Sequence, residues 1–308
     1  MSAPHVLVPV SVPCQPKILY TTSCNQNIVS HGVDYAGWCD KLQGEAVPGS
    51  DGFLSIVTHE PLGVCAAVNP FNAPIAMLAQ KVGPAIAAGN TVVVKSSEKT
   101  PLGTLVFGRL AVEAGIPPGV INILSGGGST GALLASHMDI DKISFTGSNA
   151  TGRKIAEMAA RSNLKRVTLE LGGKSPAIVF PDADLDRAAE WCVRGFTLLT
   201  GQMCIANSRI YVHKSIEDEF LSALQARLQT TKETTGDPTQ DNTMIGPVVD
   251  KLQFDRVMNF IEQGKGEAEL LHGGKRIGDK VCSPSRCFKA QAPCMKLLMR
   301  TGVIGMLY

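Results

Sequence analysis

From about Phe53 onward, short β-branched runs alternate with stretches of helical period. "GVCAAVN" (63–69), "TVVVK" (91–95), "VINIL" (120–124), "KISFT" (142–146), "RVTLEL" (166–171) and "PAIVF" (176–180) read as strands. Between them, 74–88 reads as a helix that Pro84 must kink, and 101–115 as a helix with Pro at its start and Gly at its end. A short helix follows 120–124, and another spans about 151–160. Strand, helix, strand, repeated, predicts an α/β fold: a parallel sheet with helices on both faces.

Residues 184–200 predict a strongly amphipathic helix. Leu185, Ala188, Ala189, Cys192, Val193 and Phe196 fall on one stripe. A strand over 209–213 and helices near 216–229 and 249–263 come next, and 230–243 reads as a polar loop. After Lys280 the sequence shows no period and no caps, so no element is assigned there. No internal repeat of fixed period stands out.

Composition narrows this picture. A chain of 308 residues suggests two domains of roughly 150 residues each. Hydrophobic residues at 44%, charged residues at 18% and a net charge of +2 read as a soluble globular protein. Nothing in that balance asks for nucleic acid or a membrane surface. Residues 1–30 are apolar and broken by proline, without the basic start of a secretory signal or the Arg-rich look of a presequence, so a cytoplasmic protein is expected. The nine cysteines are odd in number and irregular in spacing, which argues for reduced thiols over a disulfide framework. Cys282, Cys287 and Cys294 cluster, but without a CxxC pair or nearby His, and no metal is expected.

Open α/β sheets bind ligands beyond the carboxyl ends of their strands, so the residues ending each strand matter most. They are Asn69-Pro70-Phe71-Asn72, Lys95 with Glu98 nearby, Gly147-Ser148, and Glu170-Leu171-Gly172-Gly173. Lys95 reads as an ammonium reaching a phosphate or ribose hydroxyl, or as a surface lysine. Glu98 reads as a ribose acceptor, or as a first-turn carboxylate facing a helix dipole. Gly147 and Gly152 flank Ser148, which can open a helix whose free N–H groups suit a pyrophosphate. Alternatively, this is an ordinary strand-to-helix turn. Gly126, Gly128 and Gly131 satisfy GxGxxG, but no acidic residue closes a following strand at the required distance, and the stretch reads as a turn. Glu170 reads as a partly desolvated general base or a solvated loop glutamate. Asn72 reads as an oxyanion donor or a turn former. Cys192 sits on the apolar stripe and reads as core. Cys204, in "GQMCIA", lies beyond the stripe and escapes that explanation.

Together, Pro70-Phe71-Asn72, Lys95 with Glu98, "FTGS" with Gly147 and Gly152, "LELGGKSP" around Glu170 and "GQMC" at Cys204 resemble the NAD(P)-dependent aldehyde dehydrogenase superfamily in order and spacing. The resemblance runs from about Val33 to Lys280. It implies a Rossmann-like doubly wound parallel sheet over 33–172 and an incomplete second α/β catalytic domain over 173–280. It implies Cys204 as nucleophile, with Asn72 and the Cys204 backbone N–H as oxyanion donors, and Glu170 as the base for water. It implies a cofactor site of Phe71, Lys95, Glu98, Gly147, Ser148, Gly152, Leu171 and Gly172. Glu98 favours NAD, with NADP as the alternative, because a carboxylate repels a 2′-phosphate. The implied substrate is a small aldehyde, oxidised to its acid rather than passed to coenzyme A.

The ends depart from the family. Residues 1–32 stay unassigned, and 281–308 read as an aberrant tail from a frameshift, altered splicing or a gene-model error. The family's downstream "FGP" motif and the C-terminal strand that joins its homo-oligomers find no match. The rival expectation is therefore an inactive NAD-binding or interaction-only fragment.

Overall fold

The computed structural model describes residues 32–49, 52–276, 287–290 and 303–305. Residues 1–31, Cys282 and Cys294 lie outside them, and with them the reading of the N-terminal segment and of the cysteine cluster. The chain divides into two units, one ending at Leu171 and the other beginning at Gly172.

The first unit opens with a helix α1 (32–38) and a hairpin of β1 (Glu45–Pro48) and β2 (Leu54–Val57). The hairpin pairs Glu45 with Val57 and Pro48 with Leu54, and all its residues are exposed. Next come β3 (Val64–Val68), α2 (Pro74–Ala87), β4 (Thr91–Lys95), α3 (Leu102–Glu113), β5 (Ile121–Leu124), α4 (Gly128–Ser136), β6 (Lys142–Gly147), α5 (Asn149–Arg161) and β7 (Arg166–Leu171). The sheet order is β5-β4-β3-β6-β7, and every pairing is parallel. The chain winds outward from β3 through β4 to β5, then returns to β6 on the other side. That reversal puts a switch point between β3 and β6.

Alternation along the strands buries both faces. Cys65, Ala67, Val92 and Val94 meet Leu78 and Val82 of α2 on one face. Ala66, Val68, Ile143 and Phe145 meet Leu134 of α4 and Ile155 and Ala159 of α5 on the other. This is the doubly wound α/β architecture expected from the pattern. Pro74 opens α2, where a missing N–H leaves no bond unmade, and the helix continues through Pro84.

The second unit holds β8 (Pro176–Val179), α6 (Leu185–Thr197), a 3₁₀ turn (Leu198–Gly201), β9 (Arg209–Val212), α7 (Glu217–Glu233), α8 (Lys251–Glu267), β10 (Glu269–His272), β11 (Cys287–Ala290) and β12 (Val303–Gly305). Its sheet runs β10-β11-β12-β9-β8, parallel only between β8 and β9. The predicted stripe of α6 is its core: Ala189, Cys192, Val193 and Phe196 are buried against Ile210, Phe220, Leu224 and Leu228. Asp184 caps α6 by accepting the Arg187 N–H at 3.1 Å, and Asp250 caps α8 by accepting the Gln253 N–H at 2.8 Å.

Three expectations change. The helix predicted over 184–200 stops at Thr197, because Leu199 and Thr200 turn into the left-handed region at φ 49° and 60°. The polar loop begins later, since α7 runs to Glu233. The unassigned stretch after Lys280 contributes β11 and β12. The glycine-rich stretch holds a strand-to-helix turn, as read from the sequence, at Gly126, while Gly128 and Gly131 fall inside α4.

Candidate functional site

The strand tips of the first unit bring most of the sequence-chosen residues to one edge. Lys95 ends β4 and is 5% exposed, so the surface-lysine reading does not hold. Its ammonium donates to Glu98 Oε2 at 3.2 Å. Hydrogen bonding to the backbone, then Lys95, holds the Glu98 carboxyl below the usual carboxylate range. The pair is one buried cation and one exposed, ionised carboxylate beside the switch point.

Beyond β6, Ser148 caps α5. Its Oγ accepts the Thr151 N–H at 3.3 Å and donates to Thr151 Oγ1 at 3.0 Å. The helix it opens is 13 residues long, so its first turn presents aligned N–H groups at the crevice. Gly152 serves packing: a Cβ there would lie 2.6 Å from Leu171 Cδ2, and its absence lets α5 settle on β7. Phe71 lies in the turn before α2, where the Lys99 ammonium stands 5.4 Å from its ring centroid and Thr100 Oγ1 donates to its carbonyl at 3.0 Å. Asn72 is half-buried in the same turn, two residues before α2 begins.

Of the two readings of Glu170, its exposure matches the solvated one, on a strand rather than in a loop. It sits on the edge strand β7, whose burial alternates along its length, and its carboxylate is exposed rather than partly desolvated. Leu171 is half-buried and Gly172 is exposed.

One neighbour escaped the sequence reading, and another was named there only as part of a strand tip. The Lys81 ammonium on α2 donates to Ser144 Oγ at 2.8 Å on β6. Burial pushes its pKa down to about 8; Lys142 pushes the same way and Glu170 opposes it. The signal was present, since Lys81 is the one charged residue in "PIAMLAQKVGPAIAA". Asn69, just past β3, is 4% exposed, and neither atom of its amide meets a partner among the described residues.

Cys204 belongs to the second unit, in the loop between the 3₁₀ turn and β9, and is exposed. Cys192 is buried, and burial pushes its thiol up to about 11. One thiol is open to solvent and the other is core, as the stripe predicted. The structure thus gathers Phe71, Lys95, Glu98, Gly147 and Ser148 at one sheet edge of the first unit, while Cys204 stands in the second.

A doubly wound unit with a cation, a carboxylate and a capped helix at the carboxyl ends of its strands defines a dinucleotide-type α/β protein, here joined to a thiol-bearing unit. The chain belongs to the aldehyde dehydrogenase family, whose model matches residues 23–291. That match extends past both ends of the region from Val33 to Lys280. An aldehyde dehydrogenase of Davidiella tassiana is 52% identical over 248 residues, 80% of this chain and 50% of that protein. Among solved structures, a gamma-glutamyl-gamma-aminobutyraldehyde dehydrogenase from Burkholderia cenocepacia superposes with a TM-score of 0.85 at 44% identity. It covers 89% of this chain and 56% of its own. The NAD+ complex of a Bacillus cereus aldehyde dehydrogenase gives 0.83 at 39% identity, over 88% and 55% of the two chains. The chain spans about half the length of the curated relatives it matches.

Proposed function

We propose that the protein oxidises a small aldehyde to its carboxylic acid with NAD, using Cys204 as the nucleophile. The observation that carries this reading is the exposed Cys204 loop in a chain of this family, set against the buried Cys192.

A bound dinucleotide supplies the hydride acceptor. The chain's residues suit it: the Lys95 ammonium and Glu98 carboxylate offer a donor and an acceptor to ribose hydroxyls, and the first turn of α5 offers N–H groups to a pyrophosphate. The ionised Glu98 disfavours a 2′-phosphate, so NAD is preferred to NADP.

In the proposed reaction the Cys204 thiolate adds to the aldehyde carbon, forming a C–S bond as the carbonyl opens to an oxyanion. The Asn72 side-chain N–H and the Cys204 backbone N–H donate to that oxygen. Once the hydride has left, Cys204 holds the acyl group as a thioester. Glu170 takes a proton from a water that attacks the acyl carbon; the acid departs and the thiol is restored. The exposure of Glu170 supports access to water. Four described free thiols, at Cys39, Cys65, Cys192 and Cys204, suit the reducing cytoplasm.

A specific observation favours a second reading, an interaction-only chain: Ile178 on the edge strand β8 and Phe180 just past it are 63% and 61% exposed. One assay separates the two. Purified chain, NAD and propionaldehyde are followed by the near-ultraviolet absorbance of NADH. Turnover that disappears in Cys204→Ala and survives in Cys192→Ala supports the enzyme. A folded chain that binds NAD without turnover supports the second reading.

A further inference from the structure

The loop carrying Cys204 has little backbone structure of its own. Residues 202–208 form no helix or strand. Among their internal backbone bonds are Ala206 N–H to the Met203 carbonyl at 3.4 Å and Ser208 N–H to the Ala206 carbonyl at 2.8 Å. Side chains hold the loop instead. At its entry, Gln202 uses both ends of its amide: Nε2 donates to the Leu199 carbonyl at 3.0 Å, and Oε1 accepts the Val249 N–H at 2.9 Å. Next to it, Thr200 Oγ1 donates to the Gly246 carbonyl at 3.0 Å. At its exit, Asn207 Nδ2 donates to the Cys192 carbonyl of α6 at 3.3 Å. Gly195, one helical turn further, makes this bond feasible, because a Cβ there would overlap Asn207 Oδ1.

The backbone reaches the loop through three successive left-handed residues: Leu199 at φ 49°, Thr200 at 60° and Gly201 at 75°. Only Gly201 adopts this region without strain, and a β-branched threonine there is an outlier. Such a run persists where surrounding contacts over-determine it. Gln202 and Thr200 supply those contacts, to a segment more than forty positions away in the chain.

We propose that Gln202 and Asn207 are positioning residues for Cys204: a two-ended side-chain clamp. It ties the nucleophile loop to the 246–249 segment on one side and to α6 on the other. The catalytic consequence rests on the reading of Cys204 as nucleophile, but the order of the loop does not.

The test is amide hydrogen exchange by mass spectrometry on the full chain, reading the peptide over 202–208 against one within α7. Gln202→Met and Asn207→Ala should each speed exchange of the loop about tenfold or more, leaving α7 unchanged. Gly195→Ala, which displaces the Asn207 amide from α6 with the loop sequence itself unchanged, should act like Asn207→Ala. Gln202→Glu, whose carboxylate still accepts the Val249 N–H, should fall nearer the native protein. In the aldehyde assay, Gln202→Met should lower kcat about 10- to 100-fold with KM little changed, and Gln202→Glu should recover part of it. Loop exchange in Gln202→Met and Asn207→Ala within about twofold of native overturns the clamp. If the native chain shows no turnover, the enzyme reading fails while the exchange result still decides the clamp.

Discussion

Replacing Lys81 by methionine should change how stability depends on pH. Lys81 is half-buried on α2, and its ammonium is held by Ser144 Oγ at 2.8 Å. Burial lowers its pKa from 10.5 to about 8. Below about 8 the lysine is protonated both folded and unfolded, and the folded state bears the full cost of burying the charge. Between about 8 and 10.5 the folded protein sheds the proton while the unfolded chain keeps it, so stability rises with pH through that window. At about 1.4 kcal/mol per pKa unit, the whole gain is about 3 kcal/mol. Lys81→Met lacks this titration but keeps most of the apolar stem. Urea unfolding followed by far-ultraviolet circular dichroism, from neutral pH to 10.5, should show native stability rising relative to Lys81→Met by about that amount. Glu170→Gln should widen the rise, because Glu170 favours the charged lysine while Lys142 opposes it. Parallel profiles for native and Lys81→Met would refute the reasoning.

Thiol reactivity gives a second outcome: iodoacetamide should label Cys204 and leave Cys192 unmodified in the folded chain, read by peptide mass, because Cys192 is buried with its thiol pushed up to about 11. Ser148→Ala removes the cap on α5 and should lower stability by about 1 kcal/mol in urea unfolding, with Ser148→Asp keeping most of it. Asn69→Leu removes a buried amide without a partner among the described residues and should raise stability by about 1 kcal/mol or more. A lower urea midpoint in that variant would mean that the amide is satisfied in solution.

The parallel sheet was legible because each of its core strands is a short buried run of apolar residues, and the amphipathic stripe of α6 named its own core. The hairpin of β1 and β2 left no such trace: all of its residues are exposed, and Pro48 ends a strand with no buried face. The end of α6 was illegible because "TLLTG" carries no stop before Gly201, and long-range bonds hold Leu199 and Thr200 in their left-handed turn. At the site, strand-tip reasoning pointed to Lys95, Glu98 and Ser148, whose placement at the ends of β4 and β6 follows from local position. For Glu170 it left desolvation and solvation open, and the exposed edge strand decides for solvation. The contact between Gln202 and Val249 is set by the tertiary fold and has no local signature. Lys81 was passed over because one lysine in an apolar helix reads as a solvent-facing spacer until its partner on β6 is seen.

The central claim is that Cys204 carries the acyl group. Its most direct measurement is a single-turnover reaction of the chain with NAD and propionaldehyde, quenched with acid and read by peptide mass spectrometry. The account predicts a propionyl group on the peptide holding Cys204, formed with NADH in equal amount and lost in Cys204→Ala. NADH formed at the native rate by Cys204→Ala, or the acyl group found on another cysteine, would contradict it.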